Sequence, residues 1–432
     1  MPNLNQFNRR DFIKAAGAAS VAGSTLGLTA CAGGASKARG HVVVVGGGYG
    51  GATVAKYLRM WSDRGIDVTL VERNANFVSC PISNLVVAGY KGLEEITVSY
   101  EGLKTHWGVR VIKDEVTAVD TAKRTVTLAQ GGTLSYDRLV LSPGVDFQWD
   151  QVPALNNADA QGKILHAWKA GPQTVALRKQ LEDMKDGGVF AISIPKAPYR
   201  CPPGPYERAS VVAAYLKAKK PKSKVLILDA NEEVISKKAL FMKAWDDLYK
   251  GIVEYRPNSQ LTDVDVAGKT ALLEFDKVKA DVLNVIPPQR TGEIAAKAGL
   301  KLINNRWVDI NWLTMESTNT PGVHVLGDAI FPAPTMPKSG HMANQHAKVA
   351  AAAIINLQSG QEPNPEPVVM NTCYSFVAEK SVIHVASVHR YDAEKKQPMP
   401  VAGAGGVSAA RNELEAKIAL GWAKNIWADM LT

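Results

Sequence analysis

Cysteine is scarce in this chain: there are four in 432 residues, at positions 31, 80, 201 and 373. Their spacing fits neither a zinc cluster nor an iron–sulfur run, and no Cys-x-x-Cys-His occurs to hold a c-type haem. His341, His346 and His384 share no ligand spacing, so no metal is expected. Lys and Arg outnumber Asp and Glu by 50 to 41, a net charge of +9. Yet no Lys/Arg cluster is interleaved with aromatics, which argues against nucleic acid and leaves an acidic protein or an anionic membrane surface as partner. No stretch supplies the roughly 20 strongly apolar residues of a membrane span. With 46% hydrophobic and 21% charged residues the composition is globular, and the length suits about two or three domains.

The first residues read as an address. Asn8-Arg9-Arg10-Asp11-Phe12-Ile13-Lys14 precedes a mild apolar stretch, Ala15 to Ala32, rich in Ala, Gly and Ser. Paired arginines before such a run resemble a bacterial twin-arginine signal, a route that carries proteins already folded around a cofactor, and the expected location is the periplasm. Leu28-Thr29-Ala30-Cys31 also resembles a lipoprotein cleavage box, so either Cys31 becomes a lipidated first residue or cleavage falls at a small residue nearby. With Cys31 set aside, three cysteines remain in an oxidising compartment. One disulfide uses two of them and leaves one to be explained otherwise.

After residue 40 the signals turn to nucleotide binding. His41 to Val45 is a buried-strand run, and Gly46, Gly48 and Gly51 fit G-x-G-x-x-G before a helical pattern from Ala52 to Met60. Asp67 to Val71 forms the next strand, with Glu72 placed to accept hydrogen bonds from an adenosine ribose. Tyr136 to Gly144 resembles the strand and turn by which two-dinucleotide flavoproteins leave their first FAD segment. Thr320 to Ala329, with Gly327-Asp328, resembles their second FAD motif, in which the aspartate reaches the ribityl or phosphate oxygens. A helix from about Ser339 points its N-terminus at the flavin, where its positive end stabilises negative charge.

The second nucleotide loop is missing. Gly187 to Ile194 and Lys224 to Asp229 are successive strands of another half-fold, but the segment Pro195 to Arg208 between them carries five prolines and Cys201. Proline fixes φ and lacks an N–H, so this loop cannot form an amide cradle for a pyrophosphate. Reducing equivalents therefore do not come from NAD(P)H. The expected fold is α/β, with two Rossmann-like, doubly wound domains of the glutathione-reductase type and a C-terminal interface domain. The expected boundaries are 1–36 signal, 37–150 FAD domain first part, 151–280 second Rossmann-like domain, 281–356 FAD domain second part and 357–432 interface domain. The interface domain is entered by a Pro-rich linker, Gln361 to Pro367. It ends in a helix whose stripe of Ile418, Trp422, Ile426 and Met430 covers the flavin domain or touches a partner or membrane.

Four further segments make a specific resemblance. Cys201-Pro202-Pro203-Gly204-Pro205-Tyr206-Glu207-Arg208, Ile286 to Arg290, Met336-Pro337-Lys338-Ser339-Gly340 and Asn371-Thr372-Cys373-Tyr374-Ser375 resemble the flavoprotein subunit of flavocytochrome c sulfide dehydrogenase, from about residue 40 to the C-terminus. The resemblance implies a redox-active disulfide between Cys201 and Cys373 beside FAD, and a covalent thioether to FAD at Cys80, although Pro81 restricts that cysteine. It implies oxidation of hydrosulfide to zero-valent sulfur or polysulfide, with electrons passing to a c-type cytochrome subunit. Glu207 is a candidate proton carrier, and Lys338 a candidate to offset charge on reduced flavin. Two rival readings are a sulfide:quinone oxidoreductase associated peripherally with a membrane, and a non-catalytic flavin electron-transfer or reactivation subunit of a sulfur-oxidising complex.

Overall fold

Residues 39–432 are described by a computed structural model. The expected signal segment and Cys31 lie outside the described residues. Strand β1 (Gly40–Val45) buries four successive valines, so both of its faces are covered, as a central parallel strand requires. A tight turn leads into helix α1 (Tyr49–Trp61), and β2 (Ile66–Glu72) returns parallel to β1. A short helix α2 (Ser83–Val87) precedes β3 (Arg110–Lys113) and β4 (Arg138–Leu141), which join the same sheet.

The chain then builds a second sheet from β5 (Val189–Ile194), β6 (Lys224–Asp229), β7 (Val253–Arg256) and β8 (Val282–Val285). Helix α3 (Gly204–Lys219) lies between β5 and β6. It returns to the first sheet as β9 (Val323–Val325) and continues into α4 (Gly340–Gln358). An antiparallel meander follows, β10 (Val368–Ala378), β11 (Ser381–Asp392) and β12 (Gln397–Val407), and the chain closes with α5 (Glu413–Leu431).

The first sheet has the order β9-β4-β1-β2-β3 and the second β7-β6-β5-β8, and every pairing in both is parallel. The molecule is thus a mixed α/β protein with two Rossmann-like units. Ligands of such sheets bind at the carboxyl ends of the strands, and the predicted site residues cluster there.

Two local differences from the sequence reading have physical causes. Helix α1 begins at Tyr49, ahead of its apolar periodicity, because Gly48 already takes the N-cap position. The α5 stripe does not act as one face. Ile426 and Met430 are buried in the core of the first sheet, but Ile418 is 45% exposed. The alanines Ala416, Ala419 and Ala423 take the inward positions higher up and share a buried cluster with Leu85 and Val86 of α2. The predicted linker runs over the surface, with most of 361–366 exposed. No helix among the described residues is long and apolar enough to cross a membrane.

Candidate active site

One cavity runs from the first glycine turn to the cysteines. At the turn, a Cβ on Gly51 would stand 1.7 Å from the Gly46 carbonyl oxygen, and Gly46 has a φ of +95°. Above Gly48 the space is open, so an anion can reach the free amides at the start of α1. Glu72 turns back toward this loop: its Oε2 accepts from the Gly47 N–H at 2.7 Å and its Oε1 from the Asn74 N–H at 2.8 Å. Gly48, Glu72 and Gly144 line the cavity, while Gly46 and Gly51 shape the turn without lining it.

Asp328 lies further along the cavity wall, in the short turn after β9. Its Oδ1 is sealed from solvent and has no partner. Burial raises its pKa, while Arg200 and Lys338 draw it back down. A buried acceptor without a donor is costly, and a ribityl hydroxyl is a donor of the kind it lacks. Ser339 caps α4 by accepting from the Met342 N–H at 3.0 Å, so the positive end of this helix also opens on the cavity. The residues fit a flavin dinucleotide.

The sulfur end is built from three parts of the chain. Cys201 ends the proline loop at a φ of +57°, a region that residues with a Cβ rarely adopt. Its N–H donates to the Lys338 carbonyl and its carbonyl accepts from the Gly204 N–H, both at 2.8 Å, so the strained residue is held on both sides. Cys373 projects from β10 with the Asn371 amide nitrogen 3.3 Å from its sulfur. Cys80 precedes α2 and accepts the Ala170 N–H at 3.4 Å. All three line the cavity and all are thiols. Cys201 and Cys373, the pair for which the resemblance implies a bridge, both stand as free cysteines here. Burial pushes both thiols up, with Cys373 and Glu207 adding to the effect at Cys201; Lys237 and the Asn371 contact work against it at Cys373.

Glu207 lines the cavity in the first turn of α3 and is only 7% exposed. Its Oε1 accepts from the Phe376 N–H at 2.9 Å and its Oε2 from Asn84 Nδ2 at 2.8 Å. It is neither solvated nor hydrogen-bonded to Arg208, whose guanidinium donates instead to Asn84, Asn284 and the carbonyls of His166 and Ala167. Burial raises the Glu207 pKa, so it keeps a proton more readily than a surface glutamate. Lys338 lies behind Asp328, lining a small separate pocket, with Nζ 3.7 Å from the Trp307 ring centre. It donates to the carbonyls of Asp328 and Ile330, and burial lowers its pKa to about 7. Its charge therefore reaches the cavity through the Asp328 segment.

Sequence reasoning missed two buried cations here. Arg200 lines the cavity and faces Cys80, Asp328 and Cys201. Lys237, with φ +54°, sends its ammonium to the Cys373 carbonyl (3.0 Å) and Ser375 Oγ (2.7 Å), and burial lowers its pKa to about 8. Arg200 adjoins Cys201 in the chain and was available to notice; Lys237 carries no local signal. Among the described residues no group of three or more His, Cys, Asp and Glu is placed to hold a metal.

Fold and site together define a flavin-dependent oxidoreductase of the pyridine nucleotide-disulphide oxidoreductase class, whose family model matches residues 40–181. Two narrower models match as well: the central part of the sulfide dehydrogenase [flavocytochrome c] flavoprotein chain at 174–287, and the flavocytochrome c sulphide dehydrogenase flavin-binding part at 365–431. A sulfide dehydrogenase [flavocytochrome c] flavoprotein chain from Chlorobaculum thiosulfatiphilum is 64% identical over 46 residues, 11% of this chain and 94% of that sequence. These matches support a flavoprotein chain of the flavocytochrome c sulfide dehydrogenase kind, related to sulfide:quinone oxidoreductases. The mitochondrial sulfide:quinone oxidoreductase of Mus musculus is 25% identical over 306 residues, 67% of this chain and 65% of the mouse protein. The solved sulfide:quinone oxidoreductase of Aquifex aeolicus shares the fold, with a TM-score of 0.72 at 19% identity over 90% of this chain and 91% of that one.

Proposed function

We propose that this chain oxidises hydrosulfide to zero-valent sulfur or polysulfide through a Cys201–Cys373 bridge beside FAD, and passes the electrons to a c-type cytochrome subunit. One observation carries the reading. Cys201, on the proline loop of the second Rossmann-like unit, and Cys373, on the C-terminal meander, line one cavity together with the first glycine turn, and Cys373 acts electrostatically on Cys201. In the bridged form, hydrosulfide attacks one sulfur and the S–S bond breaks. The attacked cysteine becomes a persulfide and the other leaves as a thiolate. Burial disfavours that thiolate, and the cations Lys237 and Arg200 offset its charge. In this reading Glu207, which lines the same cavity, takes the proton of the incoming hydrosulfide. The outer sulfur departs in the zero-valent state, or on a second hydrosulfide as polysulfide, and the two cysteine sulfurs give up two electrons as the bridge closes again. Bound FAD supplies the two-electron sink for that closure and a one-electron outlet toward a haem. Cys80 carries the flavin as a thioether in this reading.

A net charge of +9 suits an acidic cytochrome. The paired arginines at positions 9 and 10 support export to the periplasm, with Cys31 either the lipidated first residue or part of the removed segment. A second reading, quinone as acceptor, is favoured by the named relatives and by exposed Leu414 and Ile418 on α5. Anaerobic titration with sulfide tests the main reading. The flavin absorbance of the native protein should bleach, and that of Cys201→Ser should not; unchanged bleaching in the variant removes the bridge from the mechanism. Turnover with a short-chain quinone but not with cytochrome c assigns the second acceptor.

A further inference from the structure

Cys373 is tied to the start of helix α4 by a row of hydrogen bonds that all run one way. On β10, Asn371 and Cys373 stand two positions apart and so share a face of the strand. Asn371 Nδ2 donates to Cys373 Sγ at 3.3 Å, and Asn371 Oδ1 accepts from Ser339 Oγ at 2.6 Å. Ser339 Oγ accepts in turn from the Met342 N–H at 3.0 Å, one of the first-turn amides that a helix leaves unpaired. The strand is fixed to α4 a second time, where the Thr372 N–H donates to His341 Nδ1 at 3.0 Å. Burial lowers the His341 pKa to about 4, so the ring stays neutral and keeps a lone pair for that bond. Asn371 is buried, and its Oδ1 also lies 3.6 Å from the sulfur, within reach of a thiol hydrogen. The amide thus serves a thiol as acceptor and a thiolate as donor.

We propose that Asn371 is a positioning residue for Cys373: its amide carries the positive end of α4 to that sulfur and steadies the charge that collects there when the bridge opens. The inference rests on the reading that Cys201 and Cys373 form the bridge. Hydrogen bonds aligned in one direction polarise one another, and a donor aimed at an ionised acceptor binds it more strongly than a neutral one. The two sulfurs are unequal in this respect. Glu207 and Asp328 oppose charge on Cys373, while Lys237 and the Asn371 amide favour it. At Cys201 the charges of Arg200 and Lys237 are favourable but no side-chain donor is, and Cys373 and Glu207 oppose. In the opening step hydrosulfide brings the electron pair of a new bond to Cys201 and its proton passes to Glu207. The Cys201–Cys373 bond breaks, and the pair of that bond stays on Cys373.

Thiol reactivity tests this without turnover. Native holoprotein, N371D, N371L and S339A are reduced anaerobically and alkylated with iodoacetamide over a range of pH, and peptide mass spectrometry follows Cys373 and Cys201 separately. N371D keeps an acceptor for Ser339 but replaces the donor at the sulfur by a carboxylate. Its Cys373 should react about tenfold more slowly at neutral pH, the factor of a midpoint moved up by one unit, and catch up in alkaline solution. N371L, which has no donor, should move the midpoint the same way. S339A, which keeps the amide but cuts it from α4, should move it less. Cys201 should change less than Cys373 in all three. A native Cys373 profile in N371D or N371L overturns the proposal. So does a Cys373 slowed equally at every pH with its midpoint unmoved, the mark of a purely structural role. N371D is isosteric with the native residue and keeps the test readable if N371L fails to fold. Peptide mapping of the unreduced native protein checks the bridge separately. Its absence removes the reading beneath this inference, whereas an unmoved profile with the bridge present overturns the inference alone.

Discussion

At the scale of single residues, the nucleotide end of the cavity is held by contacts too close for any side chain. A methyl group on Gly51 would sit 1.7 Å from the Gly46 carbonyl oxygen, a backbone atom that cannot swing aside. Gly51→Ala should therefore open the turn and give a protein that purifies with little flavin. The ratio of flavin to protein absorbance measures this, and a native ratio in the variant would contradict the account. These glycines were legible because their chemistry is local: the pattern, the strand before it and the helix after it are contiguous. The cations beside the sulfurs were not. A lysine reads as surface in any sequence, and Lys237 is buried only because Ser375 and the Cys373 carbonyl, from a distant strand, supply its acceptors. Glu207 was visible as a candidate, but its partners Asn84 and Phe376 come from elsewhere in the chain.

At the scale of elements, a loop of five prolines rather than a glycine loop follows β5. The architecture of β5, α3 and β6 is intact, so the sheet does not depend on the ligand loop and the loop was free to carry Cys201. Helix α5 is tied to the first unit by Trp427 Nε1, which donates to Tyr49 OH, by the Ala428 carbonyl, which accepts from Lys56 Nζ, and by the Asp429 carboxylate. Asp429 accepts from Tyr57 OH on α1 at 2.5 Å and from Asn344 Nδ2 on α4 at 2.7 Å, and pairs with Lys348 at 3.0 Å. Burial works against its charge, but these partners hold its pKa below the usual range. Asp429→Ala takes from Tyr57 OH its acceptor and from Asn344 one of its two, Thr53 Oγ1 being the other, and should cost about 2 kcal/mol, read as a lowered urea midpoint with an unchanged slope. Apolar spacing located this helix. It did not show that alanines, rather than Ile418, face inward along its first half, because that depends on how closely α2 and the meander approach.

At the scale of the whole molecule, both parallel sheets were readable from valine-rich runs and glycine turns, since each strand carries its own signal. The juxtaposition of Cys201 and Cys373 was not, because it depends on the C-terminal meander folding back over the second Rossmann-like unit; only the resemblance in the flanking motifs pointed to it. The central claim is that these two sulfurs and the flavin form one electron-accepting unit. Anaerobic reductive titration of the oxidised holoprotein with dithionite tests it most directly, because a disulfide and a flavin each take two electrons. The account predicts uptake of about four electrons per flavin in the native protein and about two in Cys373→Ser. Uptake of about two in both would contradict it.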